Sequence, residues 1–436
     1  MRKGLSALLW LATLLLAVWA WNLKDPHLLA LRPYESALLI GLCLLLALLF
    51  QRYQGRRACV LGMAVLLGSA GFSAYGEWTL QRQKAAVQAG ELSGARVVGA
   101  HLLVGYSDLD ELRMLVGRGL VAGVFITRRN LQEKTFKQLQ AEIVELQQLR
   151  HAAGLPALLI ASDQEGGLVS HLSPPLPQRA PLASLLADSP NTAQQLRRAE
   201  QYGAVQGAEL ARLGINLNFS PVVDIKPETP GQLLDFHSRI SQRAIASDPG
   251  TVSTIALGYS RGLQSQGVLP TLKHFPGLGR VSADTHHFSA SLDAPLAELN
   301  QRDWRPFREV AGQTHALIML GHVVLSAIDP DNLVATSPRV IEDLLRGQWQ
   351  HQGVLITDDL TMAAAYNRGL CTVAIGALNA GVDLLLVSYD HEKVYPLLDC
   401  LSQAQANGTL DRKQLERSTQ RLAEQQSWLS ETYPQP

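Results

Sequence analysis

Side chains able to hold or exchange protons recur in this chain at one kind of place, the C-terminal end of a short apolar run. Asp163-Gln164-Glu165 closes and follows the run 157–163, and Lys273-His274 lies near the end of 268–275. His322 lies near the end of 316–323, and Asp358-Asp359 closes 353–358. Carboxylates, an ammonium group and imidazoles can bind a polar ligand through charge-assisted hydrogen bonds and pass protons to and from it. Any one of them alone reads better as a turn or helix-capping residue. Their repetition at run after run weakens that reading. Nothing points to a metal or an organic cofactor. Of the four cysteines, Cys43 and Cys59 fall inside apolar stretches and read as packing residues, and Cys371 and Cys400 lack metal-ligand spacing. An oxidising compartment would allow these two to bridge, but two free buried thiols are the preferred expectation.

The elements that would position these groups are eight short runs at 97–104, 121–127, 157–163, 215–224, 268–275, 316–323, 353–358 and 382–388. They are nearly continuous in Val, Ile and Leu, as parallel strands covered on both faces are. Helical stretches alternate with them. The clearest is 192–213, where Asn191 can cap the start, Leu196, Ala199, Gly203 and Leu210 recur at helical spacing, and Gly214 can end it. Eight strand–helix repeats predict an α/β fold of the (β/α)8 TIM-barrel type, in which chemistry sits in loops after the strands. A doubly wound open sheet is the rival, though it normally has fewer strands.

The start of the chain is of a different kind. Residues 5–23, 36–50 and 58–75 are apolar runs, and a bilayer core needs roughly 20 such residues in a helix. Trp10, Trp19, Trp21 and Trp78 suit interfacial positions. A cleaved signal peptide is the alternative for the first run, but no small-residue cleavage site follows and two further runs do. About three transmembrane helices are therefore expected before the barrel. The predicted division is a membrane region at 1–80, a connector at 81–95 and a catalytic domain at 96–430. Arg2, Lys3, Arg52, Arg56 and Arg57 outnumber Lys24, Arg32, Arg82 and Lys84 by one, which puts the N-terminus and the second loop in the cytoplasm. Three spans then carry the barrel across, to the periplasm or exterior in a bacterium. Lys+Arg 38 against Asp+Glu 38 leaves no basic footprint for nucleic acid.

The motifs, taken together, resemble glycoside hydrolase family 3, and within it the bacterial β-N-acetylglucosaminidases that process cell-wall fragments. Lys273-His274-Phe275-Pro276-Gly277 followed by Asp284-Thr285-His286 carries most of the likeness. Asp163-Gln164-Glu165-Gly166-Gly167, the stretch from Asn218 to Asp224, Arg243 with Asp248-Pro249, Thr357-Asp358-Asp359-Leu360-Thr361-Met362 and Ala380-Gly381-Val382-Asp383 follow the family's order. The resemblance implies a retaining exo-β-N-acetylhexosaminidase. It implies Asp358 as the nucleophile, with Asp359 the other candidate. For the acid/base it implies a dyad of His286 oriented by Asp284, His287 being one residue off the family spacing. It implies sugar contacts from Asp163, Arg243, Lys273 and His274, with His322 lining the pocket.

A histidine can serve there because imidazole titrates near neutral pH, and double displacement needs a fixed carboxylate opposite a proton donor. Three positions depart from the family. Gly277-Leu278-Gly279 stands where it usually has Gly-His-Gly, Leu168 stands where it usually has an arginine after Gly166-Gly167, and His171 where it usually has a further arginine. The partners expected are a carbohydrate, such as a peptidoglycan fragment, and the lipid bilayer. Rival readings are a β-glycoside phosphorylase or another β-glycosidase of the family, and an inactive membrane-anchored sugar-binding barrel.

Overall fold

The computed structural model describes residues 2–23, 31–32, 34–132, 134–187, 191–227, 238–281, 284–285 and 289–432. The chain divides into two compact units, Met1–Glu91 and Leu92–Pro436.

The first unit holds three helices, α1 (Arg2–Trp21), α2 (Glu35–Tyr53) and α3 (Arg56–Ala89). All three are long and apolar enough to cross a membrane. They pack on one another through Leu39, Phe50 and Leu66, each fully buried, with Trp10 edge-on to Phe50 at 5.2 Å. Gly62 is required at that contact, since a Cβ there would lie 2.3 Å from the Phe50 ring. The outward faces carry Leu8, Leu14, Leu48 and Val60, all more than half exposed. A contiguous apolar surface of this kind marks contact with lipid or protein rather than water. The polar stretch after Glu77 is helical as far as Ala89.

The second unit is the expected barrel. Its strands are β1 (Leu102–Val104), β2 (Gly123–Ile126), β3 (Leu159–Ser162), β4 (Leu217–Asn218), β5 (Leu269–Phe275), β6 (Leu317–Leu320), β7 (Leu355–Asp359) and β8 (Leu384–Val387). Each pairs in parallel with the next in the chain, and β8 closes on β1. Alternate residues fill the interior, among them Leu103, Phe125, Leu159, Ala161, Leu217, Leu269, Met319, Ile356 and Leu386. Each of the Leu, Ile, Met and Phe side chains contributes about 1.5–3 kcal/mol on burial. The helix Arg412–Thr432 lies against the N-terminal end of this core, where Leu422, Trp428 and Leu429 pack on it.

Local signals hold in detail at Thr192–Leu213. Asn191 accepts from the Gln194 amide at 3.0 Å, and Gly214 terminates the helix at φ 96°. The first predicted strand is shorter than expected, because Ala95–Gly99 is helical and only Leu102–Val104 pairs. Val and Leu packing inward from a helical turn look the same in sequence as a buried strand.

One expectation is corrected. Cys371 and Cys400 form a disulfide. The helices Leu370–Ala380 and Val394–Ala406 bring their Cα atoms to 6.3 Å, within bridging range, and sequence spacing says nothing about that packing. Cys371→Ser with Cys400→Ser should cost about 2–4 kcal/mol of stability. A reductant should lower the melting temperature of the wild type and leave that of the double variant unchanged. Equal shifts in both would show that the bridge contributes nothing.

Candidate active site

The polar strand ends converge at the C-terminal mouth of the barrel. After β3 the chain forms a small hairpin, Gln164–Gly166 against Val169–Ser170. Asn218 at the end of β4 grips it, accepting from the Gln164 amide and donating to the Gln164 carbonyl, both at 2.9 Å. The Gln164 side chain is used inward, on Ser173 and the Leu172 amide. Its neighbours Asp163 and Glu165 are thereby held at the mouth.

There they meet two cations. Arg243 makes a bidentate pair with Glu165 at 2.7 and 3.0 Å. The Lys273 ammonium lies 2.8 Å from Glu165 and also pairs with Asp163. Burial alone would push the Glu165 carboxyl up, but Arg243 and Lys273 outweigh it and hold it at about 2. Burial would likewise lower the Lys273 ammonium, and Asp163 and Glu165 raise it instead. The four groups form one buried, charge-paired cluster. Asp163, Arg243 and Lys273 were expected here. Glu165, which ties them together, was visible only as one more polar residue at a strand end.

Asp224 is a second residue that the sequence reading quoted without assigning. It is fully buried and accepts from the Leu278 amide at 2.6 Å, the His274 amide at 3.2 Å and His274 Nδ1 at 2.8 Å. Its position inside the 218–224 motif was the available signal. These bonds fix the His274 ring. They also account for Leu278 at a departing position, since what Asp224 uses there is a backbone amide. His171, another departure, sits beside Asp163, whose carbonyl accepts from the His171 amide at 3.0 Å. Burial lowers its imidazole against the pull of Asp163.

Across the mouth, β7 presents two adjacent carboxylates with different surroundings. Asp359 is consumed by structure. Oδ1 accepts from the Thr361 amide and hydroxyl, and Oδ2 from the Ser388 amide and hydroxyl and the Tyr389 amide, at 2.6–3.0 Å. It clamps the end of β7 to the end of β8. Asp358 is partly exposed, and its Oδ1 accepts from the Asp359 amide at 2.8 Å. His322 is fully buried and donates through Nε2 to the Asp359 carbonyl at 3.0 Å. Burial holds its imidazole below the usual range against Asp358 and Asp359, so it is neutral beside Asp358. Asp284 is buried, and the carbonyl of the next residue, Thr285, accepts from the Ala364 amide at 3.4 Å. That contact puts the 284–285 segment against the turn after β7. His286 and His287 lie outside the described residues. Among the described residues no cluster of metal-ligating side chains occurs.

A parallel barrel with a partly exposed carboxylate on one strand end and a charge-paired cluster opposite is a frame in which an enzyme can hold a polar substrate. Residues 87–424 match the glycosyl hydrolase family 3 N terminal domain, and the chain belongs to that family of glycoside hydrolases. It is 35% identical over 292 residues to a beta-hexosaminidase of Nitrosomonas eutropha, covering 66% of this chain and 80% of the relative. A Chromobacterium violaceum beta-hexosaminidase is 34% identical over 302 residues, covering 69% and 81%. Among solved structures, a family 3 beta-N-acetylglucosaminidase from Paenibacillus sp. str. FPU-7 superposes with a TM-score of 0.70 at 31% identity, over 79% of this chain and 64% of that one. A beta-N-acetylhexosaminidase from Beutenbergia cavernae gives a TM-score of 0.67 at 27% identity, over 77% and 99%.

Proposed function

We propose that this glycoside hydrolase is a retaining exo-β-N-acetylhexosaminidase that removes terminal β-linked N-acetylglucosamine from glycans such as peptidoglycan fragments. The observation that carries the reading is Asp358 itself, a partly exposed carboxylate at the end of β7 across the mouth from the Asp163–Glu165–Arg243–Lys273 cluster. Asp358 attacks the anomeric carbon and forms a glycosyl-enzyme as the leaving oxygen takes a proton. His286 gives that proton and, as base, later takes one from the water that opens the intermediate, with Asp284 orienting its ring. Asp163, Arg243, Lys273 and His274 hold the sugar, and His322 lines the floor beneath Asp358. No cofactor enters these steps.

His286→Ala tests the acid/base role. Turnover of substrates with poor leaving groups should fall by about 10²–10⁴-fold, and the cleavage step for activated aryl glycosides, which need little protonation, by far less. Equal losses on both would remove His286 from the role. Accumulation of sugar 1-phosphate when phosphate is added would make the protein a phosphorylase.

The three apolar helices span the inner membrane in this reading, with the barrel in the periplasm. The positive-inside bias supports this, as does the Cys371–Cys400 bridge, because disulfides persist in oxidising compartments. A reporter fused after Lys84 should be active only when it is of a kind that works outside the cytoplasm. Activity of a cytoplasm-only reporter at that position would reverse the topology.

A further inference from the structure

At the end of the barrel away from Asp358, a cleft of about 360 Å³ opens between the helix Arg305–Ala311, the loop 349–353 that leads into β7 and the helix Arg412–Thr432. Small-molecule sites run from roughly 300 to 1,000 Å³. Two indoles stand in its wall. Trp349 is braced edge-on by Phe275 at 5.6 Å and by Trp304 at 5.8 Å, and the Arg308 guanidinium lies 5.6 Å over its ring. Trp428 is backed by His315, stacked at 4.7 Å.

Polar groups line the same space without using their bonding capacity. Gln425 is 9% exposed, and its Nε2 has no partner among the described residues. The Nε2 of His351 has none either, and burial drives that imidazole down to about 3, so the ring is neutral. A buried polar group left unpaired is costly, and a ligand toward which these side chains turn can recover that cost. Arg308 is held in place by Asn300, and Arg421 by Asp383. Glu424 adds an acceptor to these donors.

We propose that this cleft is a second, non-catalytic binding site for a saccharide. The mixture of groups selects the ligand class. An anion would meet the Glu424 carboxylate. A hydrocarbon would leave the Gln425 amide and His351 unpaired. A pyranose presents an apolar face to an indole and a rim of hydroxyls that both donate and accept, which suits Trp428 with Gln425, His351 and Glu424. The site would hold another part of the glycan whose end is being trimmed. That choice of sugar rests on the function proposed above; the lining groups argue for the cleft without it.

A chitotriose carrying a photoreactive diazirine at its reducing end tests the site on the full-length chain in detergent micelles. Adducts are expected in peptides containing 349–353 or 421–428, in addition to the barrel mouth. They should fall at least about tenfold with excess unlabelled chitotriose, and also in Gln425→Leu and Trp428→Phe variants. Both variants should cleave a small aryl N-acetylglucosaminide at the wild-type rate, which certifies their folding. Adducts confined to the mouth, or cleft adducts insensitive to competitor and to both variants, overturn the proposal. Competable cleft labelling without any turnover upholds the second site and sinks the catalytic reading instead. Turnover without cleft labelling does the reverse.

Discussion

Asp358→Asn should reduce turnover by about 10³-fold or more while the protein melts at its normal temperature, because it removes the attacking group and little of the packing. Asp358 is partly exposed, and the bond it accepts from the Asp359 amide can also be accepted by an asparagine oxygen. Asp359→Asn should fail differently. It disrupts a carboxylate that accepts five hydrogen bonds, and bonds to a charged group contribute about 1.5–3 kcal/mol each. Lost stability and a displaced β7 end are the expected signs. A slow fluorinated N-acetylglucosaminide should trap the intermediate. Peptide mapping that finds the label on Asp358 upholds the assignment, and label on Asp359 or Asp163, or none on an active enzyme, overturns it.

Glu165→Gln is expected to have the largest effect on the binding half of the site. It leaves the buried Arg243 and Lys273 cations with Asp163 as their remaining carboxylate in the cluster. Breaking a buried pair from one side costs about 3–5 kcal/mol, so the melting temperature should fall. KM should rise as both cations lose their fixed positions. The pH dependence gives a sharper readout. The Glu165 carboxyl is held at about 2 in the folded protein against 4.5 for the free side chain. A depressed value means that its stabilising contribution is complete above about pH 5 and drains as pH falls toward the folded-state value. The stability gap between wild type and Glu165→Gln should therefore narrow on acidification. A gap that stays constant would mean that Glu165 is not the ion that the cluster depends on.

Much of the frame could be read in the chain. Eight apolar runs announced eight strands because parallel strands covered on both faces are built mainly from Val, Ile and Leu, and the polar groups of the mouth lie where those runs end. What could not be read was side-chain pairing across elements. Glu165 and Asp224 looked like two more acids near strand ends. Only the closed barrel brings Glu165 to Arg243, 78 positions away, and Asp224 to His274, 50 positions away. The disulfide was misjudged for the same reason, since it depends on how two neighbouring helices pack. The contrast between Asp358 and Asp359 is likewise a fact about β8, whose Ser388 and Tyr389 claim one of the two carboxylates.

Closure of β8 on β1 has a consequence for how the enzyme is made. β1 is among the first parts of the barrel unit to leave the ribosome, and its partner is the last strand. Until β8 arrives, β1 presents an unpaired edge, and exposed edges recruit other chains. The helix Arg412–Thr432, which packs Leu422 and Trp428 against the core, comes later still. A barrel that is completed so late spends most of its synthesis as an open sheet. Mild lesions in β8 or in that helix should therefore appear first as a lower yield of folded protein, the rest degraded or aggregated during synthesis, with the surviving molecules turning over substrate at the normal rate.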